Sequence, residues 1–324
     1  MTTQAAAAAL PVVLRDVRAG FGSREALSGV SLDVRPGEMF GLIGPDGAGK
    51  TTTLRLVCGL LPAWSGDVRV FGANPWVDRR TATHRIGYLS QRFSLYGDLT
   101  IDENIEFFAR VHGVRDFRTP RDRLLALTGL EPFRGRLAAR LSGGMKQKLA
   151  LACTLIHEPP LIVLDEPTTG VDPVSRREFW KLLGEFLAGG LTILIATPYL
   201  DEAERCSRVA LVSEGRILAL DTPDRLRGSL SGVIFEVVAP AVRRARDVLI
   251  DRWGGERVEA FGDRLHVRGD RAGDRDRLLA VLADAGLAGA SVRQVRAGLE
   301  DVFIDLIGRE RHALAGGGRK GSDG

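Results

Sequence analysis

Apolar and polar residues alternate over 12–18 and 30–34, the two-residue period of a strand with one face buried. RPGE at 35–38 supplies a turn, and MFGLIG at 39–44 is a short apolar run rich in strand formers. Glycine-rich sequence follows, then helical spacing from 50 to about 60. Between 88 and 156, Leu, Phe and Ala recur at intervals of three and four, which predicts a helical insert. LIVLD at 161–165 and LTILIA at 191–196 are unbroken apolar runs of strand length, as expected of parallel strands covered on both faces. Strands alternating with helices in this way predict a parallel α/β core.

The pattern changes after about residue 228. It predicts a strand at 233–238, a helix near 241–252, strands at 256–260 and 264–268, a helix at 273–286, a strand at 291–295 and a last helix from Leu299. That order is a small α+β unit of split βαβ type. The domain reading is therefore a leading tail at 1–11, a first domain at 12–228, an accessory domain at 229–308 and a flexible tail at 309–324 that ends GGGRKGSDG.

Composition narrows the class. The chain has 324 residues, 44% hydrophobic and 27% charged. No stretch approaches the ~18 uninterrupted apolar residues of a membrane span. The alanine run at 5–9 has no basic region ahead of it and reads as tail, not as a signal peptide. Cys58, Cys153 and Cys206 are few, odd in number and far apart, so a reducing cytoplasm is expected in place of a disulfide framework. Net charge is +4 with both signs interspersed, and no basic stripe with interleaved aromatics speaks for nucleic acid. Only five of the 45 basic residues are lysine, so each lysine is an exception.

One of them lies in GPDGAGKT at 44–51, which fits G-x-x-x-x-G-K-[ST]. Glycines let the backbone turn tightly against phosphate oxygens, and successive N–H groups form an anion nest at a helix start. Gly44, Asp46, Gly47, Ala48, Gly49, Lys50, Thr51 and Thr52 are the candidate phosphate-binding residues, with Lys50 on the β- and γ-phosphates and the Thr51 hydroxyl on Mg²⁺. LIVLDEP at 161–167 puts Asp165 at the end of a buried strand, where open α/β sheets bind ligands. Asp165 can hold Mg²⁺ through its water shell, and Glu166 beside it can orient or deprotonate an attacking water.

LSGGMKQ at 141–147 resembles the signature of ATP-binding cassette (ABC) proteins, and the resemblance spans 12–228. It implies a phosphate-loop NTPase core with a helical subdomain at about 88–156, ATP and Mg²⁺ as ligands, and ATP hydrolysis coupled to transport. Phe21 resembles the aromatic that stacks on adenine. Gln91 resembles the glutamine that reaches metal and water and senses the membrane partner. Asp172 resembles the aspartate of the loop that communicates between subunits. Ser142, Gly143 and Gly144 would start a helix that offers free N–H groups to the γ-phosphate held by a second cassette. LEDVFIDLIG at 299–308 is similar to the tail of daunorubicin-resistance-type export ATPases, whose permeases are separate membrane proteins. The segment 95–113 after Gln91 would line the groove where a permease helix docks, at the cytoplasmic face of the membrane.

Two positions depart from that pattern. Pro198 stands where the family usually has a histidine that contacts the γ-phosphate. Proline has no side-chain donor and no N–H, though Thr197 as N-cap and Pro198 at the first helical position would suit the fold. A cassette that binds ATP but hydrolyses it slowly follows, with a heterodimer favoured over a homodimer. Asp46 stands where asparagine is commoner, and a carboxylate there repels polyphosphate unless it points away. Two other classes stay open: a soluble ABC protein acting on ribosome or nucleic acid, and a regulatory cassette without export.

Overall fold

The computed structural model describes residues 10–91 and 94–317, which divide into two compact units at Ile217/Leu218. Strands β1 (Val12–Phe21) and β2 (Arg24–Val34) form an antiparallel hairpin. β3 (Met39–Ile43) is buried along its whole length, and the phosphate loop carries it into α1 (Lys50–Val57). β4 (Ser65–Val70) returns to pair with β1, completing a three-stranded sheet in the order β2-β1-β4.

The chain continues through α2 (Arg79–Arg85) and β5 (Ile86–Leu89). Then come three longer helices, α3 (Ile101–Val111), α4 (Arg118–Thr128) and α5 (Gly143–Leu155). Thr100 and Glu103 close a capping box at the start of α3, and buried Asn104 donates to the carbonyls of Tyr96, Leu99 and Thr100. The helical insert expected over 88–156 thus begins after Leu89. Residues 86–89 are a strand, because parallel pairing with the next strand buries Ile86 and Leu89.

β6 (Leu161–Asp165), α6 (Pro173–Ala188), β7 (Thr192–Thr197), α7 (Leu200–Ala203), β8 (Arg208–Ser213) and β9 (Arg216–Asp221) follow. The main sheet has the order β5-β6-β7-β3-β8-β9, and the pairs β5–β6, β6–β7, β7–β3 and β3–β8 are parallel. Sheet register sets the site. Ile43 lies opposite Thr197, and Asp165 opposite Ala196, so β3, β6 and β7 all end at one edge. Their side chains are buried throughout, which is why these strands read as continuous apolar runs.

The second unit contains α8 (Pro223–Gly228), β10 (Val233–Val238), α9 (Val242–Trp253), β11 (Val258–Phe261), β12 (Arg264–Gly269), α10 (Asp274–Asp284), β13 (Ser291–Val295) and α11 (Leu299–Gly317). Its sheet has the order β11-β12-β10-β13, antiparallel throughout, as a split βαβ arrangement requires. Phe235, Val237, Leu265 and Val267 form its core with Ala245 and Leu249 of α9 and Leu278 and Leu282 of α10.

Two boundaries differ from the sequence reading. The units part at 217/218, not at 228/229, because α8 packs against α11 within the second unit. The last helix continues through 309–317, where a flexible tail is expected; alanine, leucine, arginine and glutamate favour helix there. Of the leading tail at 1–11, only Leu10 and Pro11 are described. Pro11 is buried, and its carbonyl accepts the Phe71 N–H at 3.1 Å. Residues 1–9 and 318–324 lie outside the described part.

Candidate functional site

The loop between β3 and α1 is built for an anion. Gly47 (φ 78°) and Gly49 (φ 102°) adopt left-handed backbone, and a Cβ on Gly49 would stand 2.6 Å from the Leu27 side chain. Gly49 caps α1 without any side-chain hydrogen bond, which leaves first-turn N–H groups for a ligand. Lys50 is nearly buried, and its Nζ donates to the carbonyls of Gly44 (2.8 Å) and Pro45 (3.0 Å). The same Nζ lies 3.6 Å from Glu166 Oε1.

Residues far apart in sequence converge on this lysine. Thr51 Oγ1 donates to Asp165 Oδ1 at 3.0 Å, and the Tyr88 hydroxyl reaches Oδ2 at 3.4 Å. Burial raises the Asp165 carboxyl above its ordinary range, while the bonds from Thr51 and Tyr88 pull it back. Burial beside Asp165 also raises the Tyr88 phenol, so that side chain stays a donor. Glu166 has φ 48°, a strained region for a residue with a side chain, and its N–H is held by the Ala196 carbonyl at 2.9 Å. Gln91 Nε2 and Thr169 Oγ1 donate to Glu166 Oε2 at 3.2 and 3.3 Å.

A cleft of about 530 Å³ opens over the loop, lined by Phe21, Arg24, Asp46, Lys50, Glu166 and Glu214 among others. Phe21 is 49% exposed, so its ring stands at the cleft and not in the core. Gly47, Gly49, Thr51 and Thr52 line the cleft, while Ala48 is buried beneath it. Asp46 is exposed at the rim.

The oxygen donors Thr51 and Asp165 suit a hard cation such as Mg²⁺. Among the described residues no three His, Cys, Asp or Glu side chains converge to cage a metal. An ion here would therefore keep positions for water and phosphate oxygens, as Mg²⁺ does.

The signature residues lie elsewhere on the unit. Ser142 caps α5 by accepting the Met145 N–H at 3.2 Å, and Gly143 starts the helix in open space. A Cβ on Gly144 would lie 2.2 Å from Ser175 Oγ, so this helix start is seated against the start of α6. Asp172 caps α6 by accepting the N–H groups of Val174 (3.1 Å) and Ser175 (3.0 Å), which hold its carboxyl below the ordinary range. Neither Ser142, Gly143, Gly144 nor Asp172 lines the cleft. Ser142, Gly143 and Asp172 are each exposed.

The strand mouth at Pro198 corrects one expectation. Thr197 is not the N-cap of the next helix. It stays paired in β7, Pro198 forms a bend, and Tyr199 caps α7, which begins at Leu200. The Thr197 hydroxyl is spent on the Tyr199 N–H (3.1 Å) and on Glu202 Oε2 (2.6 Å). Among the described residues no histidine lines the cleft.

The sequence alone does not point to Tyr88 or Thr169, which bond Asp165 and Glu166, or to the Glu214–Gly215 turn at the cleft wall. The glycine at 215 signals a turn, but nothing in the sequence says that Gly215 N–H bonds Ala48 and its carbonyl bonds Ser28.

Comparison with known proteins gives the family. The ABC transporter family profile matches residues 27–169. YbhF of Escherichia coli (strain K12), described as a probable multidrug ABC transporter ATP-binding protein, is 39% identical over 292 residues. That match covers 88% of this chain and 50% of YbhF, so the chain spans about half the length of that relative. Nod factor export ATP-binding protein I of Burkholderia pseudomallei (strain 1710b) is 37% identical over 307 residues, 93% of this chain and 98% of its own. A solved ATP-binding subunit of an ABC transporter superposes with a TM-score of 0.61 at 32% identity, covering 67% of this chain and 92% of that one. CbiO1 of Clostridium perfringens, part of the cbiONQ ABC transporter complex, gives 0.63 at 25%, covering 75% and 96%. The chain belongs to the ATP-binding proteins of ABC transporters.

Proposed function

We propose that this chain binds and hydrolyses ATP to drive a separate membrane permease in export. The carrying observation is the convergence on Lys50: its ammonium lies 3.6 Å from Glu166, while Thr51 and Asp165 are joined at 3.0 Å. The lysine ammonium donates to the carbonyls of Gly44 and Pro45. A triphosphate entering the nest takes up that charge, Phe21 offers its ring to the base, and the N–H groups of α1 face the phosphates. Thr51, Asp165 and Gln91 are the residues that would hold Mg²⁺, whose charge neutralises the phosphate oxygens. Glu166 orients and accepts the proton of the attacking water, with Gln91 and Thr169 fixing its carboxylate.

The exposure of Ser142, Gly143 and Asp172, none of which lines the cleft of its own chain, supports pairing with a second cassette. Two nucleotides would then be sandwiched between two cassettes. Tyr96 and Phe107, exposed and in edge contact at 4.6 Å just past Gln91, suit a permease helix. The relatives named for multidrug and Nod factor export support export as the direction. Pro198 supplies no side-chain contact to the γ-phosphate, so we infer slow hydrolysis at this site and a complete partner cassette in a heterodimer.

Calorimetric titration with Mg-ATP tests the binding reading. The wild-type chain is expected to bind, and Lys50→Ala to lose about 100-fold or more in affinity as a buried charge contact is removed. No binding by the wild-type chain in the presence of magnesium would overturn the proposal.

A further inference from the structure

Glu202 does not line the cleft, yet four side-chain donors meet its carboxylate. It is 1% exposed, on α7, four residues past Pro198. Thr168 Oγ1 donates to it, as do Thr197 Oγ1 at 2.6 Å, Arg176 Nε at 2.8 Å and Trp180 Nε1 at 3.2 Å. Thr168, Arg176 and Trp180 reach Oε1 and Thr197 reaches Oε2, so both carboxylate oxygens are engaged.

The donors come from three separate pieces of the site. Thr168 lies in the loop that leaves Glu166, and its neighbour Thr169 donates to the Glu166 carboxylate at 3.3 Å. Thr197 ends β7, whose Ala196 carbonyl accepts the Glu166 N–H at 2.9 Å. The Thr197 carbonyl accepts the Gly44 N–H at 3.4 Å, at the first residue of the phosphate loop. Arg176 and Trp180 stand on α6, and the Arg176 N–H bonds the carbonyl of Asp172 at 2.9 Å. Arg176 also forks onto Asp201 at 2.8 and 3.0 Å and lies 4.8 Å over the Tyr199 ring. The bend at Pro198 is thereby held from both sides.

We propose that Glu202 is a positioning residue for hydrolysis: it locks the loop after Glu166 and the mouth of β7 in one register, and so aims the Glu166 carboxylate. The proposal rests on the reading of Glu166 as the group that handles the attacking water. Where the strand mouth carries proline, this clamp is what that strand contributes to the chemistry. A carboxylate suits this place because the Arg176 guanidinium meets Oε1 at 2.8 Å, and a neutral amide keeps an acceptor there but loses the charge.

The test compares kcat with Mg-ATP affinity in full-length chains, in the wild-type and the Pro198→His background. Glu202→Gln is expected to lower kcat by about 10-fold or more, a size typical of lost supporting bonds, with affinity changed less than about threefold. Where that variant folds poorly, Thr168 and Thr197 give the same information. Thr→Val at either position is expected to lower kcat by several fold, and Thr→Ser, which keeps the hydroxyl, to restore it. Retention of kcat by Glu202→Gln and both valine variants would overturn the proposal, as would a loss of kcat matched by equal loss of affinity. Glu166→Gln is the control that separates the two readings. If it leaves kcat intact in the Pro198→His chain, the assignment of Glu166 has failed, and the positioning proposal with it. If it lowers kcat while the Glu202 set does not, only the positioning proposal has failed.

Discussion

The ends of β6 and β7 are neighbours in one sheet and differ in what they carry. Both strands are buried over their full length, and they pair in parallel from Leu161↔Thr192 to Asp165↔Ala196. β6 ends in Asp165 and Glu166, whose carboxylates face Thr51, Tyr88, Gln91, Thr169 and Lys50. β7 ends in Thr197 and Pro198, where the only polar side chain turns away to Glu202. Apolar burial fixes where a strand ends, and it fixes both ends equally well. The chemistry at an end is a separate property of one or two residues, so it can be absent while the scaffold stays whole.

That contrast can be broken or sharpened. The largest effect is expected at the β6 end: Glu166→Gln should cut turnover about 10²–10⁴-fold, measured at saturating Mg-ATP, with nucleotide affinity retained. Asp165→Asn should weaken the magnesium dependence of nucleotide binding by about 10–100-fold, read by titrating magnesium at fixed ATP. Gly144→Ala forces a methyl into the Ser175 hydroxyl, where Cβ would stand 2.2 Å from Oγ, and should lower unfolding stability by about 1–3 kcal/mol in a denaturant titration.

The smallest effect lies in the second unit and should leave the strand ends unchanged. His266 Nδ1 lies 2.8 Å from Asp301 Oδ1, and that bond raises the imidazole above its ordinary value of about 6.5. A raised folded value favours the protonated form in the fold. Its stabilisation is complete below the unfolded value and is lost as pH rises through the folded one. His266→Ala should therefore lower the thermal midpoint at about pH 6 and change it little at about pH 9.

Much of the first unit was legible because its signals are local. The phosphate loop is one unbroken stretch, and β3, β6 and β7 are apolar runs that parallel pairing demands. The insert was harder to bound, since IGYL at 86–89 is too short to be read as a strand without its partner β6. Tyr88 and Glu202 could not be found at all. Tyr88 reaches Asp165 across 77 positions and Glu202 reaches Thr168 across 34, and only sheet register and the seat of α6 bring them together. Thr197 shows the same dependence on register. Its hydroxyl looks like a cap in sequence, but pairing with Ile43 keeps the residue in the strand. In the second unit the order of strands and helices was legible from alternation, whereas the extent of α11 turned on helix propensity in 309–317 that the glycines around it obscured.

The central claim is that the β7 end lacks only a side chain, not a structure. Steady-state ATP turnover of the purified chain, measured for wild type beside Pro198→His, tests it most directly. The expected result is slow turnover in the wild-type chain and a rise of at least about tenfold in the variant, at unchanged Mg-ATP affinity. Fast turnover by the wild-type chain alone, or no gain from the histidine, would contradict it.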